Sequence, residues 1–321
     1  MQMPTATICL LGGTGFVGRH LAARLAQRDY NVKILTRSRA RHYDLVVLPT
    51  VTLVEADVHD AATLTREFAG CTAVVNLVGI LNERGHRGRG FRQVHVELPR
   101  KIIEACRAAS VPRLLHMSAL NAARNAPSHY LRTKAEAAEL VLAAKDLQVT
   151  VFEPSVIFGP GDHFLNRFAR FLRLAPGVFP LPCPNAKLAP VSAGDVAEAM
   201  LRSLDERACF GRRYALCGPK VYTLRELLRY LRRLTGHRRL IFGLPRPLSW
   251  LQAVVMEWLP GKPFSLDNFH SLQVPGVCTD NGFAAFGMHP VAVEAVLPTY
   301  LGRFTAQAEL DKYRRMRGVV P

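Results

Sequence analysis

The feature that most constrains this chain is a cluster of glycines standing where one hydrophobic periodicity gives way to another. Thr5–Leu11 is a short, almost continuous apolar run of the kind a buried strand shows, and Gly15–Arg28 carries apolar residues at helical spacing. Between them lies Gly12-Gly13-Thr14-Gly15-Phe16-Val17-Gly18. Glycines spaced G-x-x-G-x-x-G at a strand-to-helix junction suit a dinucleotide. Gly12 permits a tight turn, Gly15 lets the backbone approach a pyrophosphate, and Gly18 lets helix and strand pack closely. The free N–H groups of the helix N-terminus face the phosphates.

The alternation continues. Strands are predicted at Asn31–Thr36, Thr52–Glu55, Ala73–Val78, Arg113–Met117 and Val149–Phe152, and helices near Ala61–Ala69, Phe91–Ala109 and Ser128–Lys145. Strands this apolar, separated by helices, predict an α/β class with a doubly wound parallel sheet covered on both faces. After Pro154 the pattern loosens through FGPGDHF and LAPGVFPLPCPN. A helix is predicted at Val191–Leu204, then Thr223–Thr235 with Thr223 and Glu226 as a capping box, Pro247–Leu259 and Pro290–Leu301. The expected organisation is a nucleotide-binding domain over 1–160, to which 188–216 return. A smaller, mainly helical lobe is expected over 161–187 and 217–321, and 321 residues suffice for both.

Cofactor choice is written at the end of the second strand. An acid there holds the ribose 2′-OH of NAD, whereas an arginine accommodates the 2′-phosphate of NADP. The chain reads Thr36-Arg37-Ser38-Arg39-Ala40-Arg41, with no acid. Arg37 is the candidate for bidentate phosphate contact, with Ser38 or Arg41 assisting, so NADP(H) is expected ahead of NAD(H). The alternative is a solvated basic loop. Asp57 and Val58, after the third strand, are placed to meet the adenine. Farther along, Tyr130 and Lys134 stand i, i+4 on the helix after the fifth strand, which Ser118 ends. An ammonium beside a phenol favours the phenolate. Tyr130 can then exchange a proton with a carbonyl or alcohol oxygen that Ser118 polarises. The bland reading is a surface pair.

Composition narrows the classes. Hydrophobic residues at 49% exclude a disordered chain. Seven scattered cysteines without metal-ligand spacing predict free thiols in a reducing compartment. The histidines suggest no metal site. The formal charge of +17 points to an anionic partner. Nucleic acid is the weakest candidate, resting on the Arg84–Arg92 loop, which is otherwise a solvated loop or a cover for an anionic ligand. Trp250 and Trp258 fall in one apolar helix with Arg246 before it and Lys262 after. That pattern suits a membrane interface, a partner groove or the floor of the lobe. The basic stretch Lys312–Arg317 adds attraction to anionic lipid or is a solvated end. The expected location is cytoplasmic, peripheral at the inner face of a membrane.

GGTGFVG, ADVHD, NLVGI, HMSAL, YLRTK, EPSVIFGPGD and PVSAGDVAEAM, in that order, resemble the extended and atypical short-chain dehydrogenase/reductase superfamily, which includes the NAD-dependent epimerase/dehydratase-like proteins. NLVGIL, FRQVHVELP, HMSALNA and SLDNFHSL further resemble the branch containing the accessory subunit of respiratory complex I that has this fold, with its bacterial relatives. The resemblance implies a Rossmann fold with Gly12, Thr14, Gly15, Phe16 and Val17 at the pyrophosphate and Arg37 at the 2′-phosphate. It implies Asp57 and Val58 at the adenine, and Leu77, Val78 and Gly79 at the adenosine ribose. Lys134 would bond the nicotinamide ribose, with Pro154, Ser155 and Val156 against the carboxamide. Ser118, Tyr130 and Lys134 match the superfamily's catalytic triplet. His95, where Asn is common, and Glu153, where Arg is common, depart from the pattern. The function implied is carbonyl or alcohol redox on an apolar, quinone- or lipid-related substrate such as a ubiquinone relative. The alternative implied is a nucleotide-bound structural or assembly factor for a respiratory or quinone-synthesis complex.

Overall fold

The computed structural model describes residues 6–83, 85–236 and 239–302. The predicted alternation is present: β1 Thr7–Leu11, α1 Phe16–Ala26, β2 Asn31–Thr36, β3 Val51–Glu55, α2 Ala61–Phe68 and β4 Ala73–Asn76. Then come α3 Arg89–Arg92, a π-helical stretch Gln93–Glu97, α4 Leu98–Ala108, β5 Arg113–Met117, α5 His129–Ala143 and β6 Gln148–Pro154. The remainder alternates short strands and helices: β7 Ile157–Phe158, α6 Leu165–Leu174, β8 Val178–Leu181, β9 Lys187–Leu188, β10 Val191–Ser192, α7 Ala193–Arg202 and β11 Arg212–Leu216. It closes with β12 Tyr222–Thr223, α8 Leu224–Thr235, β13 Leu240–Gly243, α9 Arg246–Glu257, α10 Leu266–Ser271 and α11 Val293–Leu301.

Two compact units result. The first comprises residues 1–154, 193–216 and 278–288, the second 155–192, 217–277 and 289–321. In the first, seven strands form one parallel Rossmann sheet in the order β11-β6-β5-β4-β1-β2-β3. The order reverses at β1, and that is where such sheets open a crevice beyond their carboxyl ends. Ile8 through Leu11 are all buried, as a strand covered on both faces requires. One covering layer comes from α2, α4 and α5, whose Leu64, Phe68, Ile102 and Val141 pack with Leu11, Val74 and Val151. Elsewhere α1 packs against α7, where Arg24 and Glu198 pair at 3.2 Å.

The second unit is built on α6, α8 and α11, whose Leu165, Leu172, Leu227, Leu231 and Leu297 share one core with Phe158. The expected capping box is present: Thr223 Oγ1 accepts from the Glu226 N–H, and the Glu226 carboxylate accepts from the Thr223 N–H at 2.8 Å. The unit also holds three two-stranded ladders, β7–β10, β8–β13 and β9–β12, where mainly helix was expected. One further expectation is corrected. Cys9, Cys71, Cys106, Cys183 and Cys209 are free, but Cys217 and Cys278 are disulfide-bonded. Pairing depends on approach in space, which spacing along the chain does not carry.

Candidate active site

In the first unit most of the predicted site residues follow the carboxyl ends of strands β1 to β6, and Tyr130 and Lys134 lie on α5. Gly12 follows β1 with φ +77°, and a Cβ there would come within 3.0 Å of the Leu77 and Val78 backbone, so the turn can hold only glycine. At Gly18 a Cβ would lie 2.4 Å from the Gly12 carbonyl oxygen, which explains the close packing of α1 on the turn. α1 begins after Gly15 with no side-chain cap and no acid in its first turn. The N–H groups of Phe16, Val17 and Gly18 thus remain available to an anion. Thr14 lies within this turn, and its carbonyl accepts from Arg19 Nε at 3.0 Å. The donor set and the glycine cradle fit a dinucleotide pyrophosphate.

At the end of β2, Arg37 and Arg41 are exposed and form no ion pair among the described residues. The Ser38 N–H donates to Thr36 Oγ1 at 3.3 Å. The 3₁₀ segment Arg39–Val47 that follows is tied to α1 by Arg19, which pairs with Asp44 and lies 3.2 Å from His42 Nδ1. The acid of this loop, Asp44, is therefore paired, whereas Arg37 and Arg41 make no ion pair among the described residues. After β3, Asp57 is exposed, its carboxylate accepting from the His59 N–H at 2.9 Å, while Val58 packs on the core.

The end of β4 is held by a residue that the sequence reading did not single out. Asn76 is buried; its Oδ1 accepts from the Val78 N–H at 3.1 Å and its Nδ2 lies 3.2 Å from His116 Nδ1. A polar residue closing the apolar run Ala73-Val-Val-Asn76 was the available signal. The Leu77 N–H donates to Leu11 O at 2.9 Å, and Gly79 comes next, its backbone facing Lys134 Nζ and His95 Nε2.

Tyr130 and Lys134 stand one turn apart on α5, and Ser118 directly follows β5. Lys134 is fully buried, and its Nζ donates to the Met117 carbonyl at 2.9 Å. Burial pushes its ammonium pKa down to about 8. Ser118 is buried as well, its Oγ donating to the Lys134 carbonyl at 3.1 Å, so it also anchors α5 to β5. The Tyr130 ring meets His95 edge-on at 5.5 Å and Phe91 at 6.1 Å.

His95 lies in the π-helical stretch, an irregularity common at functional sites. Its Nε2 accepts from the Ile80 N–H at 3.1 Å, which leaves the ring proton on Nδ1, 3.0 Å from Thr133 Oγ1. Burial first, then the Lys134 charge, drive its pKa down to about 2. His95 is therefore a neutral, fixed support. His116 is buried and held neutral by the same two causes, its pKa lowered to about 3; its Nε2 has no partner.

The Arg84–Arg92 loop, of which Arg84 lies outside the described residues, is more ordered than the solvated reading implied. Buried Glu83 accepts from the Gly88 N–H at 2.6 Å and the Gly90 N–H at 2.8 Å. Arg92 pairs with Glu136 of α5 at 2.9 Å. A lone acid before an Arg/Gly run gives no sequence signal of this bracing. Glu153 is also accounted for: desolvation raises its pKa, and Arg213 lies 3.4 Å away.

Pro154 ends β6, and its carbonyl accepts from the Leu120 N–H at 3.0 Å. In the second unit, Ser155 Oγ donates to Gly276 O at 2.8 Å and Val156 packs with the cluster around Leu181 and Leu188. Lys312–Arg317 lies outside the described residues. Among the described residues no group of three or more His, Cys, Asp or Glu is positioned to hold a metal, and no helix is long and apolar enough to cross a membrane.

Residues 8–217 match the model of the NAD dependent epimerase/dehydratase family. The mitochondrial NADH dehydrogenase (ubiquinone) 1 alpha subcomplex subunit 9 of Mus musculus is 32% identical over 267 residues, 81% of this chain and 67% of that protein. The ceramide reductase of Caulobacter vibrioides is 28% identical over 197 residues, 60% of this chain and 59% of that protein. Among solved structures, a double mutant of the dTDP-glucose 4,6-dehydratase of Streptomyces venezuelae with NAD bound superposes with a TM-score of 0.70 at 21% identity. It covers 92% of this chain and 95% of that one, a likeness of fold.

Proposed function

This chain belongs to the NAD dependent epimerase/dehydratase family, and from that premise we propose that it is an NADP(H)-dependent oxidoreductase acting on a carbonyl or alcohol of an apolar molecule. The observation that carries the reading is Lys134. A buried ammonium with no carboxylate partner among the described residues is costly, and here it stands one helical turn from a phenol and beside the Gly79 backbone. In this reading the nicotinamide, when bound, supplies or accepts the hydride. Tyr130 holds or moves the proton at the substrate oxygen, Lys134 favours its phenolate, and Ser118 completes the set. Gly12, Thr14, Gly15, Phe16, Val17 and Gly18 bind the pyrophosphate. Asp57 and Val58 meet the adenine, Leu77, Val78 and Gly79 the ribose, and Pro154, Ser155 and Val156 the carboxamide. Arg37, assisted by Ser38 or Arg41, takes the 2′-phosphate.

An apolar substrate is supported by the likeness to a ceramide reductase. A second reading is favoured by the mitochondrial relative, whose name makes it a subunit of a NADH dehydrogenase. In that reading the chain holds the nucleotide as a structural or assembly factor of a membrane complex, without turnover. Under both readings the protein is peripheral, held at an anionic membrane surface or on a membrane complex.

The test combines mass spectrometry of nucleotide released from purified protein with NADPH oxidation across a panel of aldehydes, ketones and quinones. Turnover that Tyr130→Phe abolishes while NADPH binding stays within about twofold supports the enzyme. Stoichiometric NADPH that no substrate oxidises supports the structural factor instead. Arg37→Ala should weaken NADPH about tenfold to a hundredfold and NADH little, the loss of a charge-assisted contact; equal effects on both would falsify the 2′-phosphate assignment.

A further inference from the structure

We propose that the outward face of α9, with the adjoining β8–β13 ladder, is the surface by which this protein docks on an anionic lipid bilayer. The inference deepens the peripheral-membrane reading above and is independent of the nucleotide chemistry.

α9 is turned inside out with respect to residue size. Its buried residues are the small ones, Ser249 and Ala253. Ser249 is fixed there, its Oγ accepting from the Cys183 N–H at 3.1 Å and donating to Leu244 O at 3.2 Å. Leu248, Leu251, Val255, Trp258 and Leu259 are exposed by 46% to 80%. At 100° per residue Leu248, Leu251 and Val255 fall within an arc of about 60°; Trp250 lies to one side, and Trp258 and Leu259 follow directly on the helix end. A core-floor helix would do the opposite, burying its large residues. The ladder continues the display. Gln252 Nε2 donates to Pro180 O at 3.4 Å, joining α9 to β8, and Leu240 of β13 pairs with Val178 of β8 in register. Val178, Leu240 and Phe242 are each more than half exposed. Large apolar faces of this kind mark interaction surfaces.

Charge selects the occupant. Residues 155–192, 217–277 and 289–302 contain 13 Lys and Arg against 5 Asp and Glu. The acid nearest the face is already used: Glu257 takes Lys262 Nζ at 3.3 Å and the Leu266 N–H at 3.1 Å. Arg173, Arg239 and Arg246 of the same unit make no ion pair among the described residues. Each basic group near an anionic bilayer adds about 1 kcal/mol of attraction, and tryptophan favours the headgroup level. With 12 residues α9 is too short to span. It suits burial in the interfacial plane, apolar face down, while the basic excess of the unit favours anionic headgroups.

The chain has two tryptophans, both in this segment, so intrinsic fluorescence reads the face without a label. The full chain with saturating NADPH is mixed with phosphatidylcholine vesicles, with and without phosphatidylglycerol. We expect co-sedimentation and a blue-shifted emission with phosphatidylglycerol, both reduced by high salt. Leu251→Ser with Trp258→Ser should lower partitioning at least tenfold, since each buried side chain contributes about 1.5–3 kcal/mol. Unchanged NADPH binding and thermal midpoint show that the variant is folded. Wild-type binding that the double variant leaves unchanged overturns this face while the membrane reading stands. Absence of wild-type binding overturns both. A vesicle-free dimer that the double variant dissociates assigns the face to a second copy and overturns the lipid proposal.

Discussion

Helices α5 and α9 break the rule that apolar side chains go inside and charges outside, and they break it in opposite directions. α5 hides a lysine: Lys134 is buried at the carboxyl end of β5, its Nζ donating to the Met117 carbonyl. α9 hides serine and alanine and displays leucine and tryptophan. Each arrangement costs free energy in the isolated chain, through desolvation of a charge in one case and hydration of apolar surface in the other. A cost without structural return points to a ligand. On the readings proposed above, the ligand of α5 is small and enters where the sheet opens, and that of α9 is an extended surface. The direction of the violation therefore separates a chemical site from a docking site.

Four substitutions or titrations test this contrast. Lys134→Met should lower turnover about 100- to 10,000-fold, the range for losing general acid–base function, read as kcat on whichever carbonyl is turned over. A loss of less than about tenfold would make the buried lysine structural. The stability of the ligand-free protein should answer differently. The folded pKa of Lys134 is about 8, below its ordinary value of 10.5. Between these pH values the unfolded chain binds more protons, so stability rises with pH across the window, by about 3 kcal/mol in all. Below about pH 8 the penalty is fully present. The stability difference between Lys134→Met and wild type, from denaturant titrations, should thus shrink as pH rises from 8 to 10.5. A pH-independent difference would refute the burial argument.

On α9 the two faces should respond unequally. Ala253→Leu places extra volume on the packed side and should destabilise by about 1–3 kcal/mol. Trp258→Ser, on the outward side, should change stability by about 0.5 kcal/mol or less. Thermal unfolding of both without vesicles checks the pair. If Trp258→Ser is the more damaging, the helix is packed by its large residues after all.

How much of this was legible in the sequence differs from feature to feature. Gly12 and Gly18 announced their roles because only glycine combines a positive φ with backbone 3.0 Å from a would-be Cβ, as at Gly12, or fits backbone 2.4 Å from one, as at Gly18. The capping box at Thr223 and Glu226 was legible because both partners lie within one turn. β11 was not anticipated: Arg212-Arg213-Tyr-Ala-Leu216 has little apolar pattern, and its place beside β6 rests on pairing with distant chain. Glu83 was missed because its partners are backbone N–H groups, which leave no trace in side-chain identity. The disulfide-bonded state of Cys217 and Cys278 was equally invisible.

By itself the sequence determined the α/β alternation, the parallel sheet, the glycine turn between β1 and α1, and the Tyr130/Lys134 spacing on one helical face, all of which follow from local periodicity and backbone sterics. Only the tertiary structure decided that Lys134 is buried, and that His95 is held in place by Ile80 and Thr133 and kept neutral by burial and the Lys134 charge. It alone decided that the Arg/Gly loop is braced by Glu83, and that the tryptophan helix turns its small residues inward. Burial is a property of what packs against a side chain, and neighbours brought from distant parts of the chain are not encoded in any local window.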